Sequence, residues 1–272
     1  MKKLIFLFLL ILLSGQVVRS QNIYSALHLN EEREYKSRKP KKIVETNIFF
    51  LSSGKKINKN IKIFDDAGML VTEERYENNG SLNAKLSYTN DTINRINLSR
   101  AIERWTRSGY SKNTAFYHYD ENFFLTSITD KNANGDVTSQ TNLICNDKGH
   151  PIELSLYDGV GNSFGKETAV YLYDKNKVVT SVISNDGRVL SCDTIKISFV
   201  EASKFPNDNE VYNANGDLTN RIRNSDGSET EQEYTYDNFG NCTEHKIFKV
   251  TIKKNGKRKR ENDRIFKKEY FY

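Results

Sequence analysis

The chain has 272 residues, with 41 Lys or Arg against 35 Asp or Glu and a formal charge of +6. That length holds one extended domain or two compact ones. Three cysteines, Cys145, Cys192 and Cys242, are too few for a disulfide-built scaffold, and their spacing fits no zinc-ligand pattern; they read as strand residues that pack as small hydrophobes.

Lys2 and Lys3 open the chain and Leu4 to Leu13 is a ten-residue apolar run. A basic start, a short apolar run and a small-residue exit make a secretory signal peptide over 1–20, cut between Ser20 and Gln21. A membrane-crossing helix needs about 20 apolar residues, twice this run. No cysteine follows it, so no lipid anchor is expected, and no later stretch is apolar enough to span a membrane. The expected location is secreted, periplasmic or at the cell surface.

Without residues 1–20 the charge falls to +3, unevenly placed: residues 246–272 hold 11 basic and 3 acidic side chains. Charge asymmetry of this kind suggests an acidic partner for the tail.

Residues 21–60 are expected to form an N-terminal arm or linker with room for a first strand; their charged stretch includes SRKPKK (37–42). From 61 to 272 the chain is organised by glycine. DDAG (65–68), ENNG (77–80), NANG (132–135), NDKG (146–149), DGVG (158–161), SNDG (184–187), NANG (213–216), NSDG (224–227), DNFG (237–240) and KKNG (253–256) place Asn or Asp before Gly, the chemistry of tight hairpin turns. Neighbouring glycines lie 11 to 16 residues apart in local runs, room for one strand and its turn. Segments between them, such as AVYLYD (169–174) and DTIKISFV (193–200), alternate apolar with polar, as a half-buried strand does. INRINLSRAIERWTRS (93–108) fits a strand, with a short helix as its rival.

A larger repeat appears when KIFDDAG (62–68), YHYDENF (117–123), LICNDKG (143–149), YLYDKNK (171–177), VYNANG (211–216) and YTYDNFG (234–240) are aligned. Several starts lie 23 to 28 residues apart, within the range of repeat arrays. The expected turn-shaping residues are Asp65, Gly68, Asp120, Asn146, Gly149, Asp174, Asn213, Gly216, Asp237 and Gly240. The fold expected is all-β: an extended antiparallel meander of stacked hairpin repeats, as one twisted sheet or an open barrel-like wrap.

YTYDNFGN and YLYDKNK resemble the YD-repeat, or RHS-type repeat, proteins, of the small secreted type found in Bacteroidota, with MORN-like hairpin repeats as the second choice. Only Tyr234 to Asn241 carries the full Tyr-x-Tyr-Asp-x-x-Gly pattern; Asn146, Phe123, Lys177, Leu143 and Cys145 depart from it elsewhere. The resemblance implies stacked hairpins in a long twisted sheet. It transfers no activity, since fold alone does not fix function.

His28, His118, His150 and His245 lie in no hydrolase or metalloprotease motif, and the carboxylates occur in turns, where Asn and Asp cap their own backbone. No cofactor or metal pattern is present. The reading is an exported, non-enzymatic interaction or structural module with a protein or polysaccharide partner. Two alternatives stand beside it: a carbohydrate-active or other hydrolytic enzyme using Asp120, Asp174 and Asp237, and an accessory or immunity-like partner of a secreted effector. Lys257, Arg258, Lys259 and Arg260 could contact a polyanion. An exported chain disfavours nucleic acid as that partner, and edge lysines also serve simply to resist aggregation.

Overall fold

In the chain's structure, a computed structural model, residues 22–29, 38–196, 209–223, 227–252 and 255–272 are described. The expected leader over 1–20 and its cut between Ser20 and Gln21 lie outside the described residues. Among the described residues one short α-helix, α1 (Ile23–Leu27), precedes seventeen strands. The first are β1 (Lys42–Leu51), β2 (Gly54–Phe64), β3 (Leu70–Tyr76), β4 (Leu82–Asp91), β5 (Ile96–Thr106) and β6 (Gly109–Tyr119). Next come β7 (Leu125–Asn132), β8 (Val137–Cys145), β9 (Pro151–Asp158), β10 (Ser163–Leu172), β11 (Lys177–Ser184) and β12 (Val189–Lys196). The last are β13 (Glu210–Tyr212), β14 (Leu218–Ile222), β15 (Glu229–Tyr236), β16 (Cys242–Ile252) and β17 (Arg258–Phe271).

All belong to one antiparallel sheet that is not closed. Consecutive strands from β1 to β12 pair, as do those from β13 to β17. β17 then returns to pair with β1, from Lys42↔Phe271 to Phe49↔Arg264. Residues 197–208, between β12 and β13, lie outside the description. The stretch 93–108 contains β5, a strand and not a helix. Its side chains pair across to β4 and β6, and this pairing decides a segment whose local pattern fits both periods.

β1 and most of β2 fall within the stretch expected to be an arm, and they lie in the middle of the sheet. Lys41 N–H donates to the Phe271 carbonyl at 2.8 Å, its own carbonyl accepts from Phe64 N–H at 2.9 Å, and Pro40 is fully buried. Lys41 is held because its backbone is paired on both sides.

The strand registers put most of the buried side chains on one face. Ile43 and Glu45 on β1, Glu73 on β3, Ala84 and Leu86 on β4, Ala115 and Tyr117 on β6, Ile128 on β7, Leu143 on β8, Leu154 on β9, Ala169 on β10 and Val178 on β11 are all buried; cross-strand pairs such as Glu73↔Leu86, Tyr117↔Ile128 and Leu143↔Leu154 put them on the same side. From β6 to β11 this face is apolar, and α1 covers it through Ile23 and Ala26. Around β1 to β3 it is polar: Lys62 pairs with Glu45 at 3.0 Å and Arg75 with Glu73 at 2.7 Å. Buried carboxylates persist where a cation meets them.

Antiparallel pairing also sorts the turns. Those of β2–β3, β4–β5, β6–β7, β8–β9, β10–β11, β13–β14 and β15–β16 share one rim, here the YD rim, and the other turns share the opposite rim. All six aligned sequence elements end on the YD rim, because a repeat of two strands returns the chain to the same side.

Candidate interaction surface

On the YD rim the Asx residue that opens a turn organises it. Asp237 Oδ1 accepts from the N–H groups of Phe239 at 2.9 Å and Asn241 at 2.8 Å. Asn213 does the same for Asn215 and Asp217, Asn146 for Lys148 and His150, and Asp120 for Asn122 and Phe124. Asp65 caps Met69 N–H at 2.8 Å. The fourth residue must take a left-handed backbone: Gly240 has φ +80°, Gly68, Gly149 and Gly216 likewise have positive φ, and Phe123 is driven to +61° at the corresponding site. A turn with two side-chain caps can hold a non-glycine residue there at a cost of about 1–2 kcal/mol.

A second device was not visible from motif alignment. Six residues after the Asx the partner strand skips one residue in a β-bulge, and several copies place Thr there. Thr126, Thr138, Thr219 and Thr243 hydroxyls donate to the carbonyls of His118, Asp130, Val211 and Thr235 at 3.0 to 3.2 Å. The donor lies eight residues from its acceptor in every case. Asx-x-x-Gly-x-x-Thr is the sequence signal that would have found it.

The tyrosines reach backward across the array. Tyr236 Oη donates to Asp217 Oδ2 at 2.5 Å and accepts from Asn213 Nδ2 at 2.9 Å, both in the preceding YD-rim turn. Tyr272 repeats this with Asp237 and Asn241, each at 2.7 Å. Tyr173 accepts from Asn146 Nδ2 at 2.8 Å, and His150 Nδ1 lies 2.9 Å from its hydroxyl. The other tyrosine of each pair donates to a backbone carbonyl: Tyr234 to Leu218, Tyr171 to Pro151 and Tyr270 to Cys242. Burial raises the Tyr171 and Tyr234 hydroxyls above the ordinary tyrosine range. Asp237 sits below the usual carboxylate range although desolvation opposes this, because Tyr272, Asn241 and Phe239 all donate to it.

Asp174 differs from its aligned neighbours. Its loop is a tight 3-10 turn over Tyr173–Lys175 closed by left-handed Asn176, so Tyr173 takes the opening position and exposed Asp174 moves to the second. Asp120, Asp174 and Asp237 belong to three different hairpins, β6–β7, β10–β11 and β15–β16. Among the described residues no group of three His, Cys, Asp or Glu side chains is placed to hold a metal ion. Cys145, Cys192 and Cys242 form no disulfide.

The basic hairpin meets its own counter-charges. Arg258 pairs with Glu229 and Glu231, and Arg260 with Glu231 at 3.1 Å and Glu233 at 2.6 Å. The Arg260 guanidinium also lies 3.5 Å over the Phe248 ring. Lys259 pairs with Glu261 at 2.5 Å; Lys257 is exposed beside the turn. The tail's excess charge is thus spread against acids of β15, which are far away in sequence and one or two strands away in space.

Exposed apolar side chains collect elsewhere, on the rim opposite the YD rim at β8 to β12. Val160 is 85% exposed at a turn tip, Phe164 is 62% exposed and Leu190 65%. Phe164 and Leu190 are the skipped residues of their bulges, the position that holds Thr in other copies. Val137 and Val189 lie beside them, and Gly159 lets the β9–β10 turn close onto the Val137 carbonyl, where a Cβ would come within 2.1 Å.

These features define an antiparallel β-hairpin repeat protein whose turns are tied together by Tyr–Asx hydrogen bonds. Residues 212–246 match the RHS Repeat family model. Among solved structures, the chain is similar to a porin-like protein from Bacteroides uniformis at 14% identity, with 86% of this chain and 97% of that one covered and a TM-score of 0.45. It is also similar to a chain of the TcdB2-TccC3-Cdc42 structure at 12% identity and a TM-score of 0.33, covering 82% of this chain and 16% of that one. A chain of the Photorhabdus luminescens Tc holotoxin pore is 11% identical at a TM-score of 0.30, with 75% and 14% covered. No curated protein matches the sequence.

Proposed function

We propose that the mature chain, exported and cut between Ser20 and Gln21, is a non-catalytic β-repeat module that binds a protein partner through the apolar rim of β8–β12. The observation that carries this reading is the exposure of Val160, Phe164 and Leu190, each more than 60% exposed, on the same rim of two neighbouring hairpins. Contiguous exposed apolar surface on a soluble protein marks interaction sites. The basic tail is a weaker candidate because Arg258 and Arg260 already face Glu229, Glu231 and Glu233.

A polysaccharide partner is favoured by a separate feature, the Trp105–Tyr110 ring pair at 5.6 Å on the β5–β6 hairpin, with both rings partly exposed. The test is capture from the producing cell's envelope with immobilised residues 21–272. The triple variant Val160→Ser, Phe164→Ser, Leu190→Ser should lose the captured protein, while Arg258→Ala with Arg260→Ala should keep it. Loss in the arginine variant with retention in the triple variant would return the site to the tail. Retention of a glycan that Trp105→Ala abolishes would favour the polysaccharide reading.

A further inference from the structure

The hairpin of β1 and β2, Lys42 to Phe64, holds five lysines and one acid, Glu45. That acid is buried and lies 3.0 Å from Lys62, so it screens none of the others. Lys55, Lys56 and Lys59 are exposed and form no ion pair among the described residues. The basic tail differs, since Arg258, Lys259 and Arg260 each meet a carboxylate. The cations left without a counter-charge are therefore those of β2.

The strand register interleaves these lysines with apolar side chains. On the face turned away from Ile43 and Glu45, Ile265 of β17, Ile48 of β1 and Ile57 of β2 lie opposite one another in one cross-strand row. Such opposite pairs are close enough to form a continuous apolar strip. Lys267, Thr46 and Lys59 make the row on one side of it, and Phe50 with Lys55 the row on the other. Lys55 Nζ lies 5.3 Å over the Phe50 ring. At the turn Leu51 is 53% exposed, and Ile57 is 38% exposed.

We infer that this hairpin docks the chain onto an anionic lipid surface, with Lys55, Lys56 and Lys59 at the headgroups and Leu51, Phe50 and Ile57 at the acyl boundary. The turn leads, because there both faces of the hairpin are exposed: Leu51 and Lys56 on one, Lys55 and Ile57 on the other. Lysine stems lie along apolar surface while their heads reach past it. A lipid surface complements both parts, with anionic headgroups for the charges and a hydrocarbon boundary for the apolar side chains. A soluble polyanion would match the lysines and leave Leu51 and Ile57 in water. A second copy of the chain would set lysines against lysines. The hairpin is separate from the rim of β8–β12, and the docking does not rest on the partner proposed there.

The test is flotation of residues 21–272 with phosphatidylcholine vesicles, with and without added phosphatidylglycerol. These residues are used because the apolar run from Leu4 to Leu13 would itself bind lipid. The chain should float with the anionic vesicles and stay behind with the neutral ones. The triple variant Lys55→Gln, Lys56→Gln, Lys59→Gln should lower the partition coefficient about a hundredfold, at roughly fivefold for each lysine near an anionic surface. Leu51→Ser with Ile57→Ser should lower it about tenfold, since their apolar area leaves water only on docking. Arg258→Gln with Arg260→Gln should leave it unchanged. All these positions are exposed, and circular dichroism of each variant reports that the sheet is intact. Equal flotation of the parent with both vesicles, or with neither, would overturn the docking, as would parent-like binding by the lysine variant. Loss in the lysine variant with parent-like binding by the serine variant would assign the cations to a soluble polyanion and overturn the lipid surface.

Discussion

The sector β6–β11 and the sector β13–β17 build the same hairpin from different interactions. In the first, Ile128, Leu143, Leu154 and Val178 are buried beneath α1, and burial of apolar area supplies the stability. In the second, no residue of β13–β17 is among the buried hydrophobics. There the strands are joined by tyrosine hydroxyls, Asx caps and the Arg258–Arg260 ion pairs. A repeat can therefore keep its turn geometry while its packing changes, because the turn is satisfied by its own side chains.

That contrast can be broken at several points. Ile128→Ala should cost about 2–5 kcal/mol, the usual loss for an aliphatic side chain deleted from a packed site, read from the denaturant midpoint. No substitution in β13–β17 should match it.

Asp237→Ala removes two backbone caps and the acceptor for Tyr272 and should cost about 2 kcal/mol. Asp174→Ala, aligned with it in sequence, should stay within about 0.5 kcal/mol of the parent. Equal losses at the two sites would refute the separation of their roles. Tyr236→Phe leaves Asp217 without its hydroxyl donor and should cost about 1 kcal/mol, in the same unfolding assay.

Arg260→Ala should cost about 1 kcal/mol or less and lose most of its effect in 1 M salt, as expected of exposed ion pairs. A pH series separates the sectors again. His245 in β16 stacks on Tyr234 at 4.3 Å, and burial, then Lys268, pushes its pKa down to about 4. Its contribution is fully present above its ordinary pKa of 6.5 and is lost as pH falls toward 4. His245→Gln should flatten the acid limb of the stability curve, while the effect of Ile128→Ala should not vary with pH.

The hairpin turns were legible in the sequence because Asx and Gly act locally, on backbone groups two to four residues away. Asp120, Asn146, Asn213 and Asp237 each accept from two backbone N–H groups of their own turns. Asp174 does not, since the shorter loop shifts it by one position, and a motif aligned by letters is blind to loop length. α1 was not foreseen: five residues carry too little periodicity, and the helix exists because Ile23 and Ala26 find an apolar face on β9 and β10.

The sequence by itself determined an all-β repeat, its turn chemistry and the two-strand period that puts the YD turns on one rim, since these follow from local φ preferences and the period of two along a strand. Only the tertiary structure decided which repeat each tyrosine serves, that the basic tail is matched by Glu229, Glu231 and Glu233, and that β17 closes against β1. Each of these joins residues brought together by strand pairing, and pairing between distant strands is set by the whole sheet rather than by any one segment.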